Sequence, residues 1–205
     1  MFTENEVTIM LENKGIESAV IGLKKDFIEH EAQFMEISNH DFLSLVLLTP
    51  AVGIALANDS VSLFEELALN KKARKLSFGG YFMKKDPVVS AMGFLIKHYD
   101  KWKDKFYTLL TELMEIGLDL DTLRQQKVSD EDLTPNTFRK ELLKAPYGFV
   151  RFMASFFCKE DDEIIDVERR SIGKTEYDRV IEIGKSLSLD TVPIFRHFCS
   201  TYTVK

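Results

Sequence analysis

The chain has 205 residues, 45% hydrophobic and 29% charged, with 10 Gly and 5 Pro. This is an ordinary globular composition that excludes collagen-like, low-complexity and disordered chains and allows one domain with a full core over residues 1–205. The net charge of −6 sets a field that disfavours nucleic acid as a partner.

The N-terminus, Met1 to Asn13, is acidic and lacks the apolar run of a signal peptide. The two cysteines, Cys158 and Cys199, form no C-x-x-C pair. Both features fit a reducing, cytoplasmic location. The first helical stripe is Ile16, Val20, Leu23, Phe27, His30, Phe34 and Ile37, at alternating steps of three and four. Phe42 to Asn58 is uncharged throughout, 17 residues interrupted by Pro50 and Gly53. It is too short to span a bilayer and reads as two buried helical pieces meeting at Pro50. A third helix is expected from an Asp59-Ser60 cap through Val61, Phe64, Leu67 and Leu69 to Leu76.

Asp86-Pro87 pairs a good N-cap with a good first helical residue. From it a stripe of Val88, Met92, Leu95, Tyr99, Trp102, Phe106, Leu109, Leu113 and Ile116 runs to Gly117. Its regularity predicts one long helix over 87–116, about 45 Å in length, as the centre of an all-α bundle of six to eight helices. The polar stretch 118–136 is the expected boundary if the chain has two lobes. Beyond it, Thr134-Pro135 opens a helix that bends or restarts at Pro146 and carries Phe149, Phe152, Met153 and Phe156. Ile164 to Val167 is a short strand-like run. Helices are expected from Thr175 to Gly184 and from Asp190 through Phe195, Phe198 and Tyr202. Glu115-Ile116-Gly117 and Glu182-Ile183-Gly184 echo each other, which reads as helix punctuation rather than duplication.

The chain carries no G-x-x-x-x-G-K-[ST], G-x-G-x-x-G, G-x-S-x-G, H-E-x-x-H or EF-hand pattern. The Glu-x-x-His pair of di-iron bundles is also missing, since the residues three before His30, His40, His98 and His197 are Phe27, Ile37, Leu95 and Ile194. His40-Asp41 resembles the dipeptide of the HD phosphohydrolases, all-α metal enzymes. That resemblance implies a metal site completed by a further His, for which His30 is the upstream candidate, and by a distal Asp. The continuation Phe42-Leu43-Ser44-Leu45 departs from that family's polar or Gly-containing turn. The 16 Phe are read first as core packing, with a Phe-lined cavity for haem or a lipid-like molecule in a carrier or sensor as the alternative.

Charge is uneven along the chain. Between Lys71 and Lys105 ten basic residues face three acidic ones, a balance of +7 that leaves −13 for the remainder. At its head lies KKARKLSFGGYFMKK, residues 71–85. Paired glycines expose backbone amides, aromatic rings stack on planar groups, and cations attract anions. Lys72, Arg74, Lys75, Phe78, Gly79, Gly80, Tyr81, Lys84 and Lys85 therefore form the candidate binding segment for an acidic protein or anionic small molecule. The alternative is an ordinary helix connection with solvated lysines. The favoured reading is an interaction or regulatory module, for which a homodimer is allowed; no catalytic residue and no cofactor is assigned. His30, His40 and Asp41 are the metal candidates of the hydrolase reading.

Overall fold

The computed structural model describes residues 3–79, 86–117, 171–200 and 202–205. Among them are eight α-helices and one pair of two-residue strands. In order these are α1 (Glu4–Leu11), α2 (Lys14–Glu31), α3 (Asn39–Ala55), α4 (Leu63–Leu76), α5 (Pro87–Lys97), α6 (Tyr99–Gly117), β1 (Ser171–Ile172), α7 (Lys174–Ser186), α8 (Pro193–Ser200) and β2 (Thr203–Val204). The protein is all-α, as its periodicity predicts. It divides into two compact units, Phe2–Leu113 and Met114–Lys205 with Met1. The stretch 118–136, the helix expected after Pro135 and the run Ile164 to Val167 lie outside the described residues.

The first unit is built around α3, not around the 87–116 stripe. Every residue from His40 to Ala55 is buried, and α1, α2, α4 and α5 all pack against this helix. A helix apolar on all sides has no wet face to turn outward. That is why Phe42 to Asn58 shows no amphipathic period to read. The expected break at Pro50 is absent: α3 runs unbroken through it. Proline in a helix interior costs about 3 kcal/mol, and burial on every side offsets it. At Gly53 the helix backbone touches the Tyr99 hydroxyl, so a Cβ there would collide with it. Tyr99 and Tyr107 bond each other through their hydroxyls at 2.5 Å against this face.

The long helix expected over 87–116 is two helices, α5 and α6, interrupted at His98, whose φ of −120° leaves the helical region. The stripe survives the interruption. Val88, Met92, Leu95, Tyr99, Trp102, Phe106, Leu109 and Leu113 are all buried, while Ile116 is exposed.

Caps set the other boundaries. The Thr3 and Glu6 pair forms a capping box on α1, and Asn13 caps α2. α2 ends at Glu31, before the last residues of its expected stripe, because Ala32 adopts φ −149° and ψ 52°; Phe34 is left almost fully exposed. α4 begins after Ser62 rather than after Asp59-Ser60. Ser62 and Glu65 form a complete capping box that satisfies the first amides, and Asp59 sits in the preceding turn at φ 62°.

In the second unit α7 runs past Gly184 to Ser186. Gly184 is there for close approach and not as a stop: a Cβ on it would overlap the Phe195 ring of α8. The last helix starts at Pro193, after a single 3₁₀ turn at Leu189–Thr191, instead of at Asp190. β1 and β2 pair in parallel, Ser171 with Thr203 and Ile172 with Val204.

Candidate functional site

The basic aromatic segment leaves α4 and returns into α5 as a connection clasped at its base. Ser77 Oγ lies 2.8 and 2.9 Å from the two Asp86 carboxylate oxygens and donates to that group. The same carboxylate accepts the amides of Val88 at 2.8 Å and Val89 at 3.1 Å, capping α5. One step on, the Phe78 amide donates to Asp41 Oδ1 at 2.8 Å. One step back, Ser44 Oγ donates to the Leu76 carbonyl at 3.0 Å. Asp41, Ser44, Ser77 and Asp86 are all buried. Buried polar groups are kept in place by their partners, because a broken bond is not replaced by water. The path of residues 76–78 is therefore fixed by α3 and α5.

From this base Phe78 emerges 56% exposed, followed by Gly79 at φ +86°, a conformation that favours glycine. Lys71, Arg74 and Lys75 are exposed on the last turns of α4, where cations also suit the helix C-terminus. Lys72 is different: it is buried on the core side of α4 with Leu69, Ala73 and Leu76, so its place on the candidate surface is corrected. The helical period carries it there, since 69, 72, 73 and 76 share one face. Gly80, Tyr81, Lys84 and Lys85 lie outside the described residues.

Two of the metal candidates meet the same corner. The His40 imidazole packs on the Phe78 ring with centroids 5.2 Å apart. Its Nε2 donates to the Glu4 carbonyl at 3.0 Å, and its Nδ1 lies 3.7 Å from Asp41 Oδ1. His30 is elsewhere, on the outer side of α2, with its Nδ1 donating to the Asp26 carbonyl at 2.8 Å. Among the described residues no three His, Cys, Asp or Glu side chains gather as metal donors. His40 and Asp41 are engaged in holding backbone.

A second polar cluster, not anticipated from the sequence, joins α2 to α6. Glu31 accepts from Lys101 Nζ at 2.5 Å and from the Trp102 indole at 2.8 Å, with His98 Nε2 at 3.3 Å. Asp26 accepts from Lys105. The ammonium groups of Lys101 and Lys105 lie 5.4 and 4.7 Å from the Trp102 ring centroid. The hydrogen bond from Lys101 holds the Glu31 carboxyl below its ordinary range, and the one from Lys105 does the same for Asp26. The only available sequence clue was the single Trp on an apolar stripe, whose N–H needs an acceptor once buried.

The aromatic excess is spent partly on packing. The Phe27 ring meets Trp102 at 5.0 Å, Phe106 at 5.6 Å and Phe42 at 5.8 Å between centroids, and all four residues are within 1% of full burial. Cys199 is buried too, and burial pushes its thiol up to about 12, so it is protonated at neutral pH and not a nucleophile. Cys158 lies outside the described residues, as do the Phe149 to Phe157 positions. Among the described residues no helix is long and apolar enough to cross a membrane.

Compared with protein-family models, with curated proteins and with solved structures, the chain matches none.

Proposed function

We propose that the protein is a helical interaction module that docks an acidic partner or an anionic ligand on the corner formed by Lys71, Arg74, Lys75, Phe78 and Gly79. The observation that carries this reading is the clasp beneath Phe78. Two buried carboxylates, Asp41 and Asp86, fix the backbone on either side of a connection that then leaves a large aromatic ring more than half in water, just past the three exposed cations on the last turns of α4. A connection that only joins two helices gains nothing from an exposed Phe. A binding site gains a great deal from a ring and cations already held in position, because little ordering is left to offset on association. Aromatic and Arg side chains are also the groups that contribute most to binding surfaces.

The reading is tested by titrating isotopically labelled protein with a poly-glutamate peptide and following amide shifts. Shifts should concentrate on residues 71–79, weaken with added salt and lose at least about tenfold in affinity in the Arg74→Glu/Phe78→Ala variant, with the helical content of that variant unchanged by circular dichroism. Shifts scattered over the surface, or an affinity unaffected by the double substitution, would sink the proposal. Native mass spectrometry with an absorption spectrum of the freshly purified chain is the complementary measurement. A haem band or a stoichiometric metal would turn attention to the carrier or hydrolase readings instead.

A further inference from the structure

We infer that the outward face of α4 is a self-association surface, on which a second copy of this chain lays its own α4 antiparallel. The inference rests on the proposed docking corner and names its partner: the acidic first turn of the other copy's α4.

The argument begins with what α4 buries. At about 100° per residue, Leu69, Lys72, Ala73 and Leu76 occupy one arc of about 100° toward the core. Leu63, Phe64, Leu67, Lys71 and Arg74 occupy the opposite arc. Leu63 is 68% exposed, Phe64 84% and Leu67 56%, so the outer stripe of α4 begins with three large apolar side chains in water. An apolar stripe opposite the core face, rimmed by charge, marks a surface that another element covers.

Charge along the same helix says which element. Of the two acids of the first turn, Glu65 is held in the capping box with Ser62 while Glu66 is exposed on the flank next to Leu63; Arg74 and Lys75 stand in the last turn. An anionic lipid surface would be repelled by the acids at the end that must insert. A parallel partner helix would set like charges side by side. An antiparallel copy places each apolar, acidic end over the other's basic end. With the two-fold axis near residues 68 and 69, Leu67 lies over the stem of Lys71 of the second copy, Phe64 over its Arg74 and Glu66 beside the same Arg74. Aliphatic stems of Lys and Arg cover apolar surface while their heads stay wet, and an Arg over an aromatic ring is attractive. Leu63 to Arg74 spans only ~16 Å. A single helix pair of that length falls at or below the roughly 1,200 Å² of the smaller specific interfaces, so the dimer is transient.

Sedimentation velocity of the full chain from about 5 to about 500 µM brackets the affinity expected of such an interface. The expected result is a concentration-dependent dimer, weakened at least about tenfold by Leu67→Asp and by Arg74→Glu. Combining Arg74→Glu with Glu66→Arg should restore it, because each copy then offers the exchanged charges to the other. A monomer throughout the range, a dimer indifferent to Leu67→Asp, or no recovery in the exchanged variant would each overturn the inference. So would Phe64-dependent sedimentation with phosphatidylserine vesicles by a chain that stays monomeric. The poly-glutamate titration separates the two levels: a monomer that still binds the peptide at residues 71–79 removes the self-association and leaves the docking corner standing, whereas a monomer that binds no peptide removes both.

Discussion

Asp41 and Asp86, at the α4–α5 connection, accept from backbone amides and a serine hydroxyl in a buried setting, whereas Asp26 and Glu31, on α2, accept mainly from lysine ammonium groups of α6. The amide and hydroxyl donors of the first pair are uncharged and lie where water reaches little. The second bonds cations that water and salt can satisfy once the pair is broken. Hydrogen bonds of similar length therefore predict unequal consequences. The buried pair fixes the path of the chain, and the lysine-linked pair tunes how two helices sit together.

The largest break in this contrast is expected from Asp86→Ala. It removes the N-cap of α5 and the carboxylate that accepts from Ser77, leaving that hydroxyl only the Ala73 carbonyl at 3.0 Å, for a combined loss of about 2–3 kcal/mol in urea unfolding. Adding Ser77→Ala to that variant should cost clearly less than Ser77→Ala alone, since the bond between the hydroxyl and Asp86 is then already gone; simple additivity would show that the clasp is not a unit. Asp41→Ala should follow at about 2 kcal/mol. Its distinguishing readout is local: faster hydrogen exchange at the Phe78 amide, with the amides of α2 unaffected. Uniformly faster exchange across the unit would assign Asp41 a global role instead.

Much of this arrangement was legible in the residues, and what was not has identifiable causes. Asp86-Pro87 announced the start of α5 because capping is local chemistry. The stripe from Val88 to Leu113 announced a buried face that holds even across the break at His98. The centre of the unit was illegible for the opposite reason. A helix buried on every side, like α3, carries no period, and Pro50 misdirects when tertiary packing outweighs its local cost. α4 misled in a third way: Phe64 and Leu67 suggest a core face, but the core takes Leu69, Lys72, Ala73 and Leu76. Lys72 entered the candidate surface because a run of like charges hides which face each member occupies. His40-Asp41 was visible as a dipeptide; that Asp41 holds the Phe78 amide, 37 positions away, is a tertiary fact that no local pattern contains.

The lysine-linked pair supplies the smaller effects, and pH sharpens them. Glu31 and Asp26 have folded-state values below their ordinary 4.5 and 3.8. A carboxyl depressed on folding contributes stability that is fully present above its unfolded value and is lost as the pH falls through the folded one. The contribution is therefore intact at neutral pH and drains below 4.5 for Glu31 and below 3.8 for Asp26. Glu31→Gln should flatten the fall in stability across that acid range and cost less at pH 7 than Asp86→Ala. Trp102, the only tryptophan, reports it directly, since its indole donates to Glu31. Lys105→Met should do the least: a slight loss at low salt that vanishes at about 1 M salt, where charges are screened within roughly 3 Å. A Lys105→Met loss as large as that of Asp86→Ala, and indifferent to salt, would show that the α2–α6 pairs are as strongly held as the buried clasp, and the distinction between the two pairs of carboxylates would fail.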